Sequence, residues 1–395
     1  MTPRQRELVE VARGLGRDRF APRAAAHDRD AVFPTENYAE LRAQGFLGLC
    51  IPERYGGLGA DYETYCLVSA EIGRWCGATA LTFNMHAASM LWPALMADGI
   101  EMTVPEREAH ERRRAAIYAK VLRDGAIFAQ PFSEPNAAAA AGRAPFGTVA
   151  RPVEGGWRVS GRKHFASLSG AAHYYSILCT EEIPGEAADV RRTAFLAVPA
   201  AAPGFRIEGE WDTLGMRATV SKSLVLEEVF VPEELALMSS GSYHRTALAW
   251  PHMFFTLTPT YIGIARAAFD FTVDYLRQAG TRSSAAKQFA VAEMRIKLEQ
   301  AEALFARVIG EAQPNPPKDA RLRAYAAQFT VMEHANDICR LAIRTCGGRS
   351  IARSLPLERL YRDSRCGALM LPWTAEICQE RLGRESLYEA GERDG

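Results

Sequence analysis

Arg344 to Arg381 reads RTCGGRSIARSLPLERLYRDSRCGALMLPWTAEICQER. A helical run stops at Gly347-Gly348, a charge-rich segment follows from Leu355 to Arg365, and a new helix is expected from about Thr374. A glycine pair at a helix end lets another group approach the backbone closely, and free N–H groups there suit an anion such as a pyrophosphate. The same residues also make an ordinary helix end and turn. The stretch alone does not separate the two readings, so the rest of the chain has to.

Upstream of these glycines the pattern is helical back to Met238. Phe289, Ala292 and Ile296, then Ala301, Leu304, Phe305, Val308 and Ile309, form an apolar stripe with a period near 3.6, and Pro314-Asn315-Pro316-Pro317 divides that helix from the next, Leu322 to Cys346. Between Gly125 and about Leu237 the period falls to two. GGWRVSGRKHF (Gly155 to Phe165), YYSILCT (Tyr174 to Thr180), TAFLAVP (Thr193 to Pro199) and SLVLEEVFVP (Ser223 to Pro232) alternate between turn signals, which predicts one antiparallel β domain, a barrel or sandwich. The Ala137 to Ala141 run reads as a loop. Before Gly125 the pattern is helical again, with a loop at IPERYGGLGADYE where Asp61 is placed to cap the next helix. The chain therefore divides into a helical part (1–124), a β part (125–238) and a second helical part (239–395), an α+β organisation.

The 395 residues allow a large core, and 47 acidic residues balance 47 basic ones, so no overall field draws the chain to nucleic acid or to an anionic membrane. Arg112-Arg113-Arg114 reads as a solvated helix face. The eight cysteines show no CxxC and no His-ligand spacing, which argues against a metal site or a disulfide framework. Cys339, Cys346, Cys366 and Cys378 read as small buried residues in a reducing compartment. Trp75 to Ala97 and Thr246 to Ala265 carry no charge, yet the first holds Asn84, His86, Ser89 and Pro93 and the second His252, four Thr and two Pro. Both fit helices buried on all sides better than membrane spans. With Met1 to Arg23 charged throughout, a cytoplasmic location is expected.

No Rossmann fingerprint, Walker loop, GxSxG or HExxH occurs. What does occur is a set of segments in order: YGGLG (Tyr55 to Gly59), SEP (Ser133 to Pro135), GMRATVS (Gly215 to Ser221), then TCGG followed by PLERLYRD (Pro356 to Asp363). In this order, inside a helical–β–helical chain, they resemble the acyl-CoA dehydrogenase family over nearly the whole length. The resemblance implies a helical N-terminal domain, a central antiparallel β domain and a C-terminal four-helix bundle. It also implies FAD held in a homodimer or homotetramer. On the family's pattern, Gln130, Phe132 and Ser133, with Phe165, Ala166 and Ser167, would contact the flavin ring. There, donors near the N1–O2 edge favour the anionic reduced form, and an aromatic wall excludes water.

For the remainder of the cofactor the resemblance points to Arg277 and Arg282, Arg344, Gly347 and Gly348, and Thr374 and Glu376. Here the sequence departs from the family. The usual RxxFG is replaced by RQAGTRSS (Arg277 to Ser284), and the Gln before the glycine pair is Arg344.

The largest departure concerns the catalytic base. The family's Glu aligns with Pro372, or with Leu371 if no gap is allowed, and neither is a base. Proline also lacks the N–H that would bind a thioester carbonyl, a loss of about 3 kcal/mol of transition-state stabilisation. No carboxylate lies between Arg245 and Asp270, where some relatives carry the Glu. His252 is the candidate substitute, although a core imidazole explains it too. Trp250, Phe254, Phe255 and Trp373 are expected to line the substrate pocket. The implied activity is oxidation of an acyl thioester such as an acyl-CoA, or of a similar small apolar molecule, with an electron acceptor or oxygen as second partner. Two alternatives need no base: a flavin monooxygenase on the same fold, and a catalytically silent subunit.

Overall fold

Three helices in the N-terminal third begin at capping residues. Thr2 and Thr103 each accept the N–H of the residue three positions on, and those residues, Gln5 and Glu106, reach back to the cap's own N–H. This satisfies donors that a helix start otherwise leaves free. Asp61 caps as expected, its carboxylate accepting the Thr64 N–H at 2.8 Å. The computed structural model describes residues 1–389 and 392; its first helices are α1 (Pro3–Leu15), α2 (Ala21–Asp30), α3 (Thr35–Ala43), α4 (Tyr62–Trp75), α5 (Gly77–Leu91) and α6 (Val104–Leu122), of which α1, α4 and α6 carry these caps. α5 is buried almost throughout, and no helix among the described residues is long and apolar enough to cross a membrane. The solvated face expected at Arg112-Arg113-Arg114 is corrected at its last two members, the Arg113 side chain being only 12% exposed. Arg114 is buried, held by Asp98 at 2.7 Å, by the Pro93 carbonyl at 3.2 Å and by Glu111, because a guanidinium can be buried only where its donors are used.

The strands are β1 (Phe128–Ala129), β2 (Val149–Val153), β3 (Gly156–Ala166), β4 (Tyr174–Glu181), β5 (Thr193–Pro199), β6 (Phe205–Glu208), β7 (Lys222–Pro232) and β8 (Ala236–Met238). They form a sheet in the order β6-β7-β3-β2-β4-β5-β8, with β1 also on β4. The pairing is antiparallel except where β1 and β2 meet β4. The period of two expected across the β part is corrected at β4 and β5, which are buried on both faces and so run apolar without alternation. The alanine run expected as a loop forms the short helix α7 (Ala137–Ala140), whose cap Asn136 accepts the Ala138 N–H at 3.1 Å. Alanine's helix propensity needed only that cap.

The C-terminal part contains α8 (Ser242–Ala249), α9 (Thr258–Gln278), α10 (Ala285–Gly310), α11 (Lys318–Cys346), α12 (Leu357–Cys366) and α13 (Ala375–Leu387), with α11 packed against α9, α10, α12 and α13. Residues 390, 391 and 393–395 of this part lie outside the described residues. The stripe expected on α10 is half corrected. Ala301, Phe305, Val308 and Ile309 are buried, and Met294 and Leu298 continue their line. Phe289 (76% exposed), Ile296 (59% exposed) and Ala292 face outward. At 3.6 residues per turn, Ile296 lies roughly 140° around the helix from Ala301, so the two halves of that stripe are two faces. The cysteines are free, with Cys339, Cys346 and Cys378 buried and Cys366 partly so.

Candidate functional site

β3 ends in a kink. Phe165 and Leu168 take left-handed φ of 52° and 66°, and the Ser167 N–H turns back onto the Phe165 carbonyl at 3.0 Å. Opposite it runs Trp211 to Ser221, where Met216 and Val220 have φ of 53° and 45°. Four of the seven non-glycine left-handed residues among those described are therefore gathered here. A β-branched valine in that region is strained, and it persists only where surrounding contacts over-determine it. Those contacts are present: Leu168 N–H to Thr219 O and Ser169 N–H to Val220 O, both at 3.0 Å, and Met216 N–H to Asp363 Oδ1 at 2.6 Å. Gly215 admits no side chain, since a Cβ there would sit 2.3 Å from the Arg362 carbonyl oxygen.

These strained segments wall a cavity of about 340 Å³. Leu81 and Met85 of α5, Met253, Phe254 and Leu257, and Leu369 to Pro372 make its apolar surface. Gln130, Ser133, Ser167, Thr213, Thr219, Ser221 and Thr256 are its polar groups, and Arg365 is its one charged lining residue. No acidic residue and no histidine lines it among the described residues. The Gln130 side-chain amide nitrogen is buried without a hydrogen-bond partner, a donor held ready for a ligand.

Two buried charges hold the wall from behind. Lys163 Nζ donates to Glu134 Oε1 at 2.6 Å and to the Leu178 carbonyl at 2.7 Å, and Glu134 also accepts the N–H groups of Gly147 and Thr148. Burial alone would push the Glu134 carboxyl up, but the Lys163 ammonium and the donated N–H groups hold it below the usual range. Burial pulls the ammonium down. Asp363 is the converse: burial pushes it up to about 6 despite the Met216 N–H and the nearby Arg359 and Arg362.

Of the expected site residues, the structure brings Gln130, Phe132, Ser133, Phe165, Ser167, Phe254 and Pro372 onto this one cavity, and Leu371 beside Pro372. Ala166 is buried behind it, paired with Lys222. Trp250, Phe255 and Trp373 do not line it. Trp373 lies behind Phe254, ring centroids 5.9 Å apart, and Phe255 packs on Phe305. His252 is off the wall too. It is fully buried, both ring nitrogens lack partners, and desolvation pushes it down to about 4. The expected substitute base is thus a neutral core imidazole, since 252 turns inward on a short 3₁₀ segment whose next two residues face the cavity. Thr374 caps α13 and Glu376 is exposed on it. Arg277, Arg282, Arg344 and the Gly347-Gly348 turn are exposed at the far end of the helices, where Cys346 lies near Thr272 and Lys287. The segment Gly215 to Ser221 stood out in the sequence, but Thr219 and Ser221 were not singled out within it. Cys366, Met370 and the α5 pair Leu81 and Met85 had no signal beyond being apolar.

The buried histidines give the fold an acid limit. His86, His110 and His252 are each held by burial at about 4, against 6.5 for a free imidazole. Between those values the unfolded chain binds about one more proton at each. Asp363, raised from 3.8 to about 6, binds one more in the folded state. The net excess in the unfolded chain is about two protons near pH 5, so stability falls with pH by roughly 3 kcal/mol per unit from about 6.5 downward. Urea unfolding at pH 7, 6 and 5 checks this, and a flat midpoint across that range would contradict it.

A largely apolar cavity, an exposed Phe165 ring set edge-on to Trp211 (centroids 6.2 Å), a free amide donor and a row of hydroxyls fit a flavin ring. Fold and site together define a flavoprotein oxidoreductase. The acyl-CoA dehydrogenase N-terminal, middle and C-terminal domain models match residues 2–102, 129–229 and 253–383, and the chain belongs to the acyl-CoA dehydrogenase family. It is 26% identical over 366 residues to the human mitochondrial short-chain specific acyl-CoA dehydrogenase, covering 91% of this chain and 84% of that one. Two solved structures share the fold. One is KijD3 in complex with FMN and dTDP-3-amino-2,3,6-trideoxy-4-keto-3-methyl-D-glucose (TM-score 0.84, 24% identity, 100% and 96% of the two chains). The other is dibenzothiophene monooxygenase TdsC from Paenibacillus sp. A11-2 (TM-score 0.80, 20% identity, 95% and 96%).

Proposed function

We propose that this chain is a flavin-dependent monooxygenase acting on a small, largely apolar molecule. The observation that carries the reading is the cavity wall, which among the described residues holds no carboxylate and whose polar groups are hydroxyls, one amide and Arg365; Leu371 and Pro372, the two positions that the resemblance aligns with the family's Glu, both line it. Taking an α-proton from an acyl thioester without a positioned base forfeits about 10²–10⁴ in rate, and oxygen transfer makes no such demand. When bound, the reduced flavin would give two electrons to dioxygen, with one oxygen atom passing to the substrate and the other leaving as water. The chain's own residues supply the rest. Met253, Phe254 and Leu257 hold the apolar body of the substrate and exclude water, and Gln130 offers an orienting donor. The name of TdsC, a dibenzothiophene monooxygenase, supports this reading. Acyl-CoA dehydrogenation remains the second reading, favoured by the human relative's name.

For the cofactor we keep FAD, completed by a second copy in a homodimer or homotetramer. α9 starts at the cavity and ends beside Arg277, 21 residues later, about 30 Å at 1.5 Å per residue. Arg277, Arg282 and Gly347-Gly348 therefore serve a cofactor in this cavity only from another chain. The exposed apolar Phe289, Ile296 and Ile351 near that end are suited to be covered by one. The purified protein should release FAD on denaturation and run above monomer size in light scattering. FMN in a monomer would overturn the cofactor and assembly parts. Reduced flavin, air and a panel of apolar aromatic compounds should give substrate-dependent oxygen uptake, with ¹⁸O₂ label in the product. Rapid anaerobic bleaching of the bound flavin by an acyl-CoA would replace the monooxygenase reading with dehydrogenation.

A further inference from the structure

Three hydroxyls in the cavity wall form a chain whose direction is set by its last acceptor. Thr219 Oγ1 lies 2.8 Å from the Met216 carbonyl oxygen, and a carbonyl only accepts, so the Thr219 proton is committed there. Ser221 Oγ is 2.7 Å from Thr219 Oγ1, and with the threonine proton in use Ser221 must donate. Ser167 Oγ is 2.8 Å from Ser221 Oγ, and for the same reason Ser167 donates inward. Thr219 is fully buried, Ser221 is 5% exposed, and Ser167 is half-buried. Ser167 thus turns lone pairs, not its proton, toward the cavity. The reverse arrangement is within reach, because the Met216 carbonyl also accepts the Thr219 N–H at 3.1 Å and the Trp211 indole N–H at 3.3 Å. It keeps partners if the Thr219 hydroxyl turns away.

We propose that Thr219 and Ser221 are positioning residues that set the hydrogen-bond polarity of Ser167 toward the flavin, biasing it to accept. The proposal rests on the flavin reading of the cavity. A flavin ring nitrogen held against Ser167 would change from acceptor to N–H donor on reduction and find an acceptor there, so the chain would favour the reduced cofactor. Hydrogen bonds in series strengthen one another, so a break two residues away is felt at the cavity.

The test is the affinity of the protein for oxidised and for reduced flavin under anaerobic conditions, with the midpoint potential of the bound flavin. Ser221→Ala frees Ser167 to donate and should lower the preference for reduced flavin about tenfold, a downward shift of about 30 mV for a two-electron couple. Thr219→Val should shift it less in the same direction, while Thr219→Ser, which keeps the hydroxyl, should match the unchanged protein. If Ser221→Ala does not fold, Thr219→Val against Thr219→Ser decides. Variants that bind flavin with an unchanged oxidised-to-reduced ratio overturn the chain's role and leave the flavin reading standing. An unchanged protein that binds neither form of flavin overturns both.

Discussion

Lys163→Met should destabilise the protein by about 3–5 kcal/mol, the cost of leaving one member of a buried ion pair without its partner. Lys163 has no exposed surface, its ammonium lies 4.4 Å from the Phe146 ring centroid, and Glu134 takes its shortest hydrogen bond from it. Methionine fills much the same volume but strands the Glu134 carboxylate, which the N–H groups of Gly147 and Thr148 satisfy only in part. Glu134 follows Ser133 and Lys163 lies two residues before Phe165, so the pair ties together two segments of the cavity wall, and flavin retention should fall with stability. The double variant Glu134→Gln with Lys163→Met should recover part of the loss, because it removes the stranded charge. Urea unfolding of the natural protein and the two variants measures both effects. A loss below about 1 kcal/mol for Lys163→Met would show that water or a shifted proton compensates the pair, against the burial described.

Pro372→Glu should raise the rate of anaerobic flavin reduction by a responsive acyl-CoA by roughly 10²–10⁴-fold over the natural protein. The position lines the cavity. Glutamate there would add a carboxylate and restore the backbone N–H that proline lacks. Pro372→Gln is the control, restoring the N–H without the base, and it should stay close to the natural protein. Trp373 is best left alone. It is 1% exposed, packed 5.9 Å from Phe254 and 4.7 Å from Tyr325 between ring centroids, and its carbonyl accepts the Gln328 amide at 3.0 Å. Truncating a buried tryptophan costs about 3–5 kcal/mol. Fast reduction of the natural protein would mean a base supplied from outside this wall, while equal rates for the Glu and Gln variants would show that the side chain cannot reach a bound thioester.

The order of helical, β and helical parts was legible because each rests on a local period, 3.6 in Leu322 to Cys346 and two in Gly155 to Phe165, and on local punctuation such as Asp61. Periodicity names an apolar face without saying what covers it. That is why Phe289 and Ile296 read as core and stand exposed, and why Arg114 read as solvated and is buried. The same limit applies inside the site. The segments Gln130 to Ser133 and Phe165 to Ser167 could be picked out through the resemblance to the family, and alignment on its pattern set Pro372, or Leu371, at the position of its Glu. The letters could not say that Phe254 faces the cavity while His252, two positions earlier, is sealed in the core with its imidazole neutral. On so short and tight a segment, which side faces in depends on the helices packed around it. Nor could they place Ser167 against Ser221, 54 residues on, and Ser221 against Thr219. Composition supplied the hydroxyls. Their polarity toward the cavity follows from the Met216 carbonyl at the end of the chain, which only the folded backbone, strained at Met216 and Val220, brings within reach.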